Sequence, residues 1–586
     1  MCLETGATKK DEERTAMSGN QKTKGSMDMK KMVVFICCLF CLCMGACSLN
    51  EGVTQSEAFT ETLNEEMSAF EITAAHREAA PNNEKGYSVL DAGRGNPNWI
   101  NTQARYAFIR MMEFALSESE RTLSVGTMAG QASQEGISQR FDKYMDPADE
   151  TDAFLINMVK WCGKNLGIKK DVLLKELTDA LIGDYYPSPD RCLECTEKII
   201  NAYIESVLYN GKQLASETEL FPTEGGTAAI VYIFNSLNHN KLLNPGDTIA
   251  IGTPIFTPYL DIPNIEQYSL VCVDITSTEE ADWDIPEEEL DKLADPSVKA
   301  FFLVNPSNPA ARALSQATLD KLEEVVKKNP DLIIITDDVY GTFTQDFETV
   351  YARLPYNTIL VYSFSKLYGV TGWRIGTIAM NENNVCDHLL TLLSDEDKAS
   401  LQYDYSSVMP DISCFKMIDR MVADSRSIGL YHTAGLNTPA QAFMDMLAMT
   451  HLLYKEDAYI QKTNEIVEER YRVLMDALGL PADESGENSR YYTLIDTAAL
   501  MRTRYGDGFA DWMAENVSDL TFLTSLATRE GVVLMYGPGF GAPAGKVRIS
   551  LANLDKESYA EIARRLFELM DEYYAEYNAA VLPSAA

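Results

Sequence analysis

Six apolar runs punctuate the middle of the chain: "DTIAIGTPIF" (Asp247–Phe256), "YSLVCVDI" (Tyr268–Ile275), "VKAFFLVNP" (Val298–Pro306), "DLIIITDDVY" (Asp331–Tyr340), "TILVYSFSK" (Thr358–Lys366) and "RIGTIAM" (Arg374–Met380). None alternates strictly between apolar and polar, so none reads as a strand with one wet face. Helical stretches such as "QATLDKLEEVVKKN" (Gln316–Asn329) lie between several of them. Continuous apolar strands separated by helices predict an α/β fold, with a mostly parallel sheet covered on both faces. Near the end, "GVVLMYGPGF" and "GKVRISLAN" precede a helical pattern with Ile562, Leu566 and Leu569 on one face. That combination predicts a smaller α+β domain.

With 586 residues, 46% apolar and 23% charged, the chain can bury more than one core. Its net charge of −37 argues against nucleic acid as a partner. Of twelve cysteines, six crowd between Cys2 and Cys47 and the rest are scattered, which is no disulfide framework. Cys192 and Cys195 form a lone Cys-x-x-Cys without the second pair that a structural zinc needs, so no metal is expected.

The stretch "MKKMVVFICCLFCLCMGAC" (Met29–Cys47) has two lysines, an apolar run too short for a bilayer, and small residues before a cysteine. It has the shape of a secretory signal with a bacterial lipobox, which makes Cys47 a possible lipid anchor and an envelope lipoprotein the expected location. The alternative is a cytoplasmic protein with a mis-assigned start. Residues 1–47 are therefore assigned to a leader and 48–88 to a polar tether or helix. Residues 89–184 form the first part of the small domain with a helical insertion. Residues 185–465 form the large domain, and 466–586 the rest of the small one.

Five groups of residues fall at strand ends or turns, where α/β sheets bind ligands. Gly225, Gly226 and Thr227 open a helical pattern and suit a phosphate. Asn305 ends one apolar strand; Asp337 ends another, with Tyr340 three residues on. Ser363, Lys366 and Arg374 follow the strand "TILVYSF", and Arg548 lies in "GKVRISLA". A carboxylate at the end of so apolar a strand needs a cationic or protonated partner. A planar guanidinium suits a carboxylate. Lysine amine, ring-facing aspartate, phosphate cradle and arginine together describe a site for pyridoxal 5′-phosphate.

The motifs "AGRGNPNW", "PTEGGTAAI", "TPIFTPY", "VNPSNP", "TDDVY", "YSFSKLYGVTGWRIG" and "HTAGLNTPAQ" resemble those of fold-type I, class I and II aminotransferases, over roughly residues 90–575. Within that family the chain most resembles the bifunctional members that also remove the β-carboxylate of L-aspartate. The alternative is an ordinary aminotransferase. The resemblance implies a seven-stranded-type sheet with flanking helices and a small α+β domain. Lys366 is then the lysine that bonds the cofactor, Asp337 the partner of its ring nitrogen, and Tyr340 and Asn305 the partners of its ring oxygen. Phe256 would stack on the ring, while Gly225, Gly226, Thr227, Ser363 and Arg374 would hold the phosphate. Tyr185, or else Tyr186, would reach the phosphate in a partner subunit of a homodimer or larger oligomer. Arg548 and the backbone of Gly95 would take the α-carboxylate of L-aspartate, with 2-oxo acids as the other substrates. No arginine occupies the family's place for the distal carboxylate, where His432 and Thr433 stand; Arg94 and Thr433 are the candidates for that role.

Two other classes fit less well. Ser363-x-x-Lys366 is also the nucleophile motif of penicillin-binding proteins, but neither Ser-Asp-Asn nor Lys-Thr-Gly occurs in the chain. A regulator would need a basic recognition helix, which the first 90 residues lack.

Overall fold

The computed structural model describes residues 63, 67–184, 186, 191–428, 435–454 and 458–581, all within the compact unit Gln55–Ala586. The leader with Cys47, and Tyr185, His432 and Thr433, lie outside the described residues. Among the described residues no helix is long and apolar enough to cross a membrane.

The alternating pattern becomes one seven-stranded sheet. Its strands are β1 (Thr218–Thr223), β2 (Thr248–Thr253), β3 (Val271–Thr276), β4 (Val298–Val304), β5 (Ile333–Asp337), β6 (Thr358–Ser363) and β7 (Gly376–Asn381). Their spatial order is β1-β7-β6-β5-β4-β2-β3. The run from β3 to β6 is parallel, as expected, while β7 is antiparallel to both β1 and β6. Every residue of β5 and β6 is buried. The edge strand β3 departs from this: only Ile275 of its six residues is buried.

Register places the chemistry. Gly376, the first residue of β7, pairs with both Thr223 and Ser363, the last residues of β1 and β6. Asp337, the last of β5, pairs with Val361 and with Val304. The ends of five neighbouring strands, β1, β7, β6, β5 and β4, thus lie along one edge, where the strand-to-helix turns converge.

A second sheet holds β8 (Tyr492–Asp496), β9 (Met535–Tyr536) and β10 (Lys546–Ser550), ordered β8-β10-β9 and wholly antiparallel. The run "GVVLMY" is shared between sheets. Val532–Val533 pairs in parallel with Leu90–Asp91, and Met535–Tyr536 joins β10.

Three helices matter below. α1 (Ala69–Ala79) falls in the segment expected to be tether or helix, and starts with a capping box. Glu71 N–H donates to Ser68 Oγ at 3.3 Å, and Ser68 N–H donates back to Glu71 Oε2 at 2.9 Å. α2 (Gly226–His239) follows β1 directly, and α3 (Lys556–Val581) closes the chain. The helices Thr102–Thr122, Glu150–Asn165 and Lys170–Ile182 bury Met111, Phe114, Phe154 and Leu173 in the cluster that covers the large sheet. α3 buries Ile562, Leu566 and Leu569 in a separate cluster with Leu90, Ile549 and Val532.

Leu566 is fully buried in that second cluster. A Leu566→Ala variant is expected to lose about 2–5 kcal/mol through the lost contacts and the void left behind. A urea titration should show the midpoint falling with little change in slope.

Candidate active site

A cavity of about 220 Å³ opens at the strand-end edge of the large sheet. Of the residues singled out from sequence, Gly95, Gly226, Thr227, Phe256, Asp337, Tyr340, Ser363, Lys366, Arg374 and Arg548 all line it.

One end is built for an anion. Gly225 sits at φ +90° before α2 and offers no side chain to cap it. The first-turn N–H groups are therefore left to the cavity. A Cβ on Gly225 would lie 2.5 Å from Arg374 Nη2, so only glycine lets the guanidinium cover this turn. Ser363 Oγ lies 2.9 Å from Ser365 Oγ beside it. Arg374 donates to Thr371 O at 3.0 Å, and no carboxylate among the described residues pairs with it.

Asp337 lies deeper. Tyr259 donates its hydroxyl to Asp337 Oδ2 at 2.9 Å, and Val339 N–H reaches Oδ1 at 3.4 Å. Burial pushes this carboxyl up to about 6, against those hydrogen bonds and the nearby Lys366. Such a group gains when a proton-bearing cationic nitrogen faces it. Lys366 follows β6 and donates from Nζ to Gly95 O at 3.1 Å; Tyr491 donates to the same carbonyl at 2.9 Å. Phe256 meets Tyr259 and Phe70 edge-to-face, at 5.1 Å and 5.4 Å between ring centres.

Arg548, on β10, is 2% exposed and among the described residues has only neutral partners. It donates to Gly93 O at 2.8 Å and to Asn308 Oδ1 at 3.1 Å, and lies against Met535 Sδ at 2.6 Å. Its guanidinium carbon stands 4.2 Å and 4.9 Å from the ring centres of Tyr492 and Phe540. Tyr492 in turn meets the hydroxyl of Tyr340 at 3.0 Å.

The structure corrects two assignments. Asn305 does not line the cavity: it is fully buried, and its amide oxygen accepts the Leu314 N–H at 3.0 Å. Asn308, the second asparagine of "VNPSNP", is the one that faces the cavity. Arg94 does not line it either, because its side chain is 58% exposed and pairs with Asp91 at 2.9 Å. Tyr186 is exposed. Sequence reasoning missed Tyr259, Asn308, Tyr492 and Phe70. Asn308 had a signal, the repeated Asn-Pro, whereas Phe70 and Tyr492 come from elements remote in sequence.

The chain matches the family described as aminotransferase class I and II over residues 185–566. A curated relative from Pseudomonas sp, named bifunctional aspartate aminotransferase and L-aspartate beta-decarboxylase, is 42% identical over 496 residues, covering 84% of this chain and 93% of the relative. Among solved structures, a Thermus thermophilus aspartate aminotransferase mutant superposes with a TM-score of 0.55 at 16% identity, covering 89% of this chain and 100% of that one. The aspartate aminotransferase of Rhizobium meliloti gives 0.54 at 18% identity, covering 89% and 99%. These two likenesses are likenesses of fold.

The raised Asp337 pKa has a stability consequence. Its value of about 6 in the fold exceeds the ordinary 3.8, so the proton favours the folded state. That contribution is complete below pH ~4 and is lost as pH rises through ~6, by roughly 2–3 kcal/mol. In ligand-free protein, Asp337→Asn should therefore gain stability relative to wild type between pH 4 and 7. Thermal melts of both proteins across that range test the sign.

Proposed function

We propose, from the premise that this chain belongs to the class I and II aminotransferases, that it converts L-aspartate to L-alanine and CO2 and also transaminates aspartate to oxaloacetate. The observation that carries the reading is that one cavity is lined both by a lysine amine and by a buried arginine that has no carboxylate partner among the described residues. The likeness to a relative named for both activities supports the decarboxylase half.

The donor set fits pyridoxal 5′-phosphate: an uncapped helix start with Arg374 and Ser363, a buried carboxyl, and a lysine amine lining the same cavity. The first turn of α2, Ser363 and Arg374 would hold the phosphate. Asp337, kept in place by Tyr259, would face the ring nitrogen, and Tyr340 and Asn308 would meet the ring's other polar edge. When bound, this cofactor supplies a carbonyl that joins the substrate amine and a ring that takes up the electron pair left by the broken bond.

The protein's own part is positioning and proton traffic. Arg548 binds the α-carboxylate as a planar fork, and its charge goes to the substrate because its protein partners are neutral. Lys366 takes the proton from Cα and holds it within the cavity. Once the β-carboxylate leaves as CO2, that carbon needs a proton in its place, and Cα then regains one to give alanine. Tyr491 and Gly95 O fix where the Lys366 amine waits. Aromatic rings from Phe70, Phe256 and Tyr492 wall the cavity and limit water.

Purified protein incubated with L-aspartate, the cofactor and 2-oxoglutarate as amino acceptor should release alanine and CO2 in equal amounts; release of oxaloacetate and glutamate alone would leave an ordinary aminotransferase. Arg548→Ala should lower both products together, by roughly 10- to 150-fold, the loss of one charge-assisted contact. Borohydride treatment followed by peptide mapping should place a covalent adduct on Lys366, and Lys366→Ala should abolish both the adduct and turnover.

A further inference from the structure

We propose that Tyr492 is the acid that protonates Cβ after the β-carboxylate has left, so that decarboxylation and transamination draw on different proton carriers in one cavity. This rests on the functional reading above and goes beyond it: there Lys366 takes the Cα proton, and the donor for Cβ has no residue assigned. Such a donor must line the cavity, carry a transferable proton and be free of other work. Thr227, Ser363 and Arg374 stand at the anion end, with the start of α2. Tyr259 gives its hydroxyl to Asp337 at 2.9 Å, and Asn308 meets Arg548 at 3.1 Å. The Lys366 amine is tethered to Gly95 O at 3.1 Å, on the path that both products share.

Tyr492 meets the three conditions. It reaches the cavity from β8 and is 2% exposed. Its hydroxyl lies 3.0 Å from that of Tyr340, and in this pair either group can donate. With Tyr340 as the donor, the Tyr492 proton is left to the cavity. The phenol also stands beside the amine: a Cβ built on Gly95 would strike the Tyr492 hydroxyl and lie 3.3 Å from Lys366 Nζ. Only a gap the size of one substituent separates the two, which suits them to serve adjacent carbons of one substrate. Arg548, which takes the α-carboxylate, has its guanidinium carbon 4.2 Å from the Tyr492 ring centre. Its positive charge steadies the phenolate that a proton transfer leaves behind. In the step, the bond from Cβ to the carboxylate carbon breaks and CO2 departs. The electron pair of that bond ends in the new Cβ–H bond as the O–H bond of Tyr492 breaks. The phenolate regains a proton from solvent before the next turnover, which supplies the one proton that conversion of aspartate to alanine and CO2 consumes.

The experiment uses full-length, cofactor-loaded protein with L-aspartate and 2-oxoglutarate, and compares initial rates of alanine and glutamate, the latter counting transamination. Tyr492→Phe keeps the ring against Arg548 and removes only the hydroxyl. The expected result is a fall of about 100-fold in the alanine-to-glutamate ratio, the scale of one general acid. An unchanged ratio overturns the proposal: if both rates hold, Lys366 serves both carbons, and if both fall alike, Tyr492 acts only through Tyr340. A wild-type protein that makes glutamate and no alanine overturns the functional reading itself, and this inference with it. A measurement independent of turnover is the fluorine NMR signal of 3-fluorotyrosine placed at Tyr492 in the same loaded protein. Succinate, which carries both carboxylates of the substrate and no amine, should shift that signal with saturation. A signal that does not respond to succinate places the hydroxyl away from Cβ and overturns the proposal.

Discussion

A guanidinium that is 2% exposed and has no carboxylate beside it among the described residues is the constraint around which this fold is organised. Arginine keeps its charge in proteins, so Arg548 cannot escape burial by losing a proton. The protein compensates it only in part, with a carbonyl, an amide oxygen and two aromatic faces. Each is weaker than an ion pair. A carboxylate at this position in the protein itself would be more stable and would leave nothing for a ligand. The remaining positive charge is thus a binding capacity, held in place by packing from β8, β10 and the loop that bears Asn308.

Asp337 shows the opposite arrangement. It is a buried acid with no basic side chain bonded to it among the described residues, served by a phenol and a distant backbone N–H. Burial lifts its pKa to about 6 in spite of those hydrogen bonds and the nearby Lys366. A cationic nitrogen opposite it reverses that shift, so the same carboxyl that weakens the ligand-free fold strengthens the liganded one. Both groups trade stability of the ligand-free protein for affinity.

How much of this was legible in the sequence follows from what each feature depends on. β5 and β6 read clearly because both their faces are buried, and Lys366, Asp337 and Arg374 sit within a few residues of those strands. The antiparallel course of β7 was not legible: an apolar run carries no direction, and pairing is decided by the connection. For the same reason "GVVLMY" gave no sign that its two halves join different sheets. Asn305 and Asn308 are chemically identical and three residues apart; only the turn decides which amide bonds Leu314 and which faces Arg548. Phe70 and Tyr492 reach the cavity from α1 and β8, so no local pattern could have named them.

The segment Leu90–Gly95 ties these parts together. Leu90 and Asp91 pair with Val532 and Val533, and the Ala92 carbonyl accepts the Ser550 N–H at 2.8 Å, which anchors the segment to the end of β10. One residue on, Gly93 O holds Arg548 at 2.8 Å; two further, Gly95 O holds the Lys366 amine at 3.1 Å. These carbonyls belong to one short segment that leads out of the strand Leu90–Asp91, so a single stretch of backbone grips both functional cations. Neither glycine tolerates a side chain there: a Cβ on Gly93 would meet Thr73 Cγ2 at 2.9 Å, and one on Gly95 would meet the Tyr492 hydroxyl at 2.3 Å. Arg94 lies between them and points away, sharing Asp91 Oδ2 with Arg77. Two guanidinium groups on one carboxylate oxygen leave a net positive charge at the edge of the site. The segment whose Arg94 is held outside the cavity by Asp91 is therefore the same one whose carbonyls fix Arg548 and Lys366 at it.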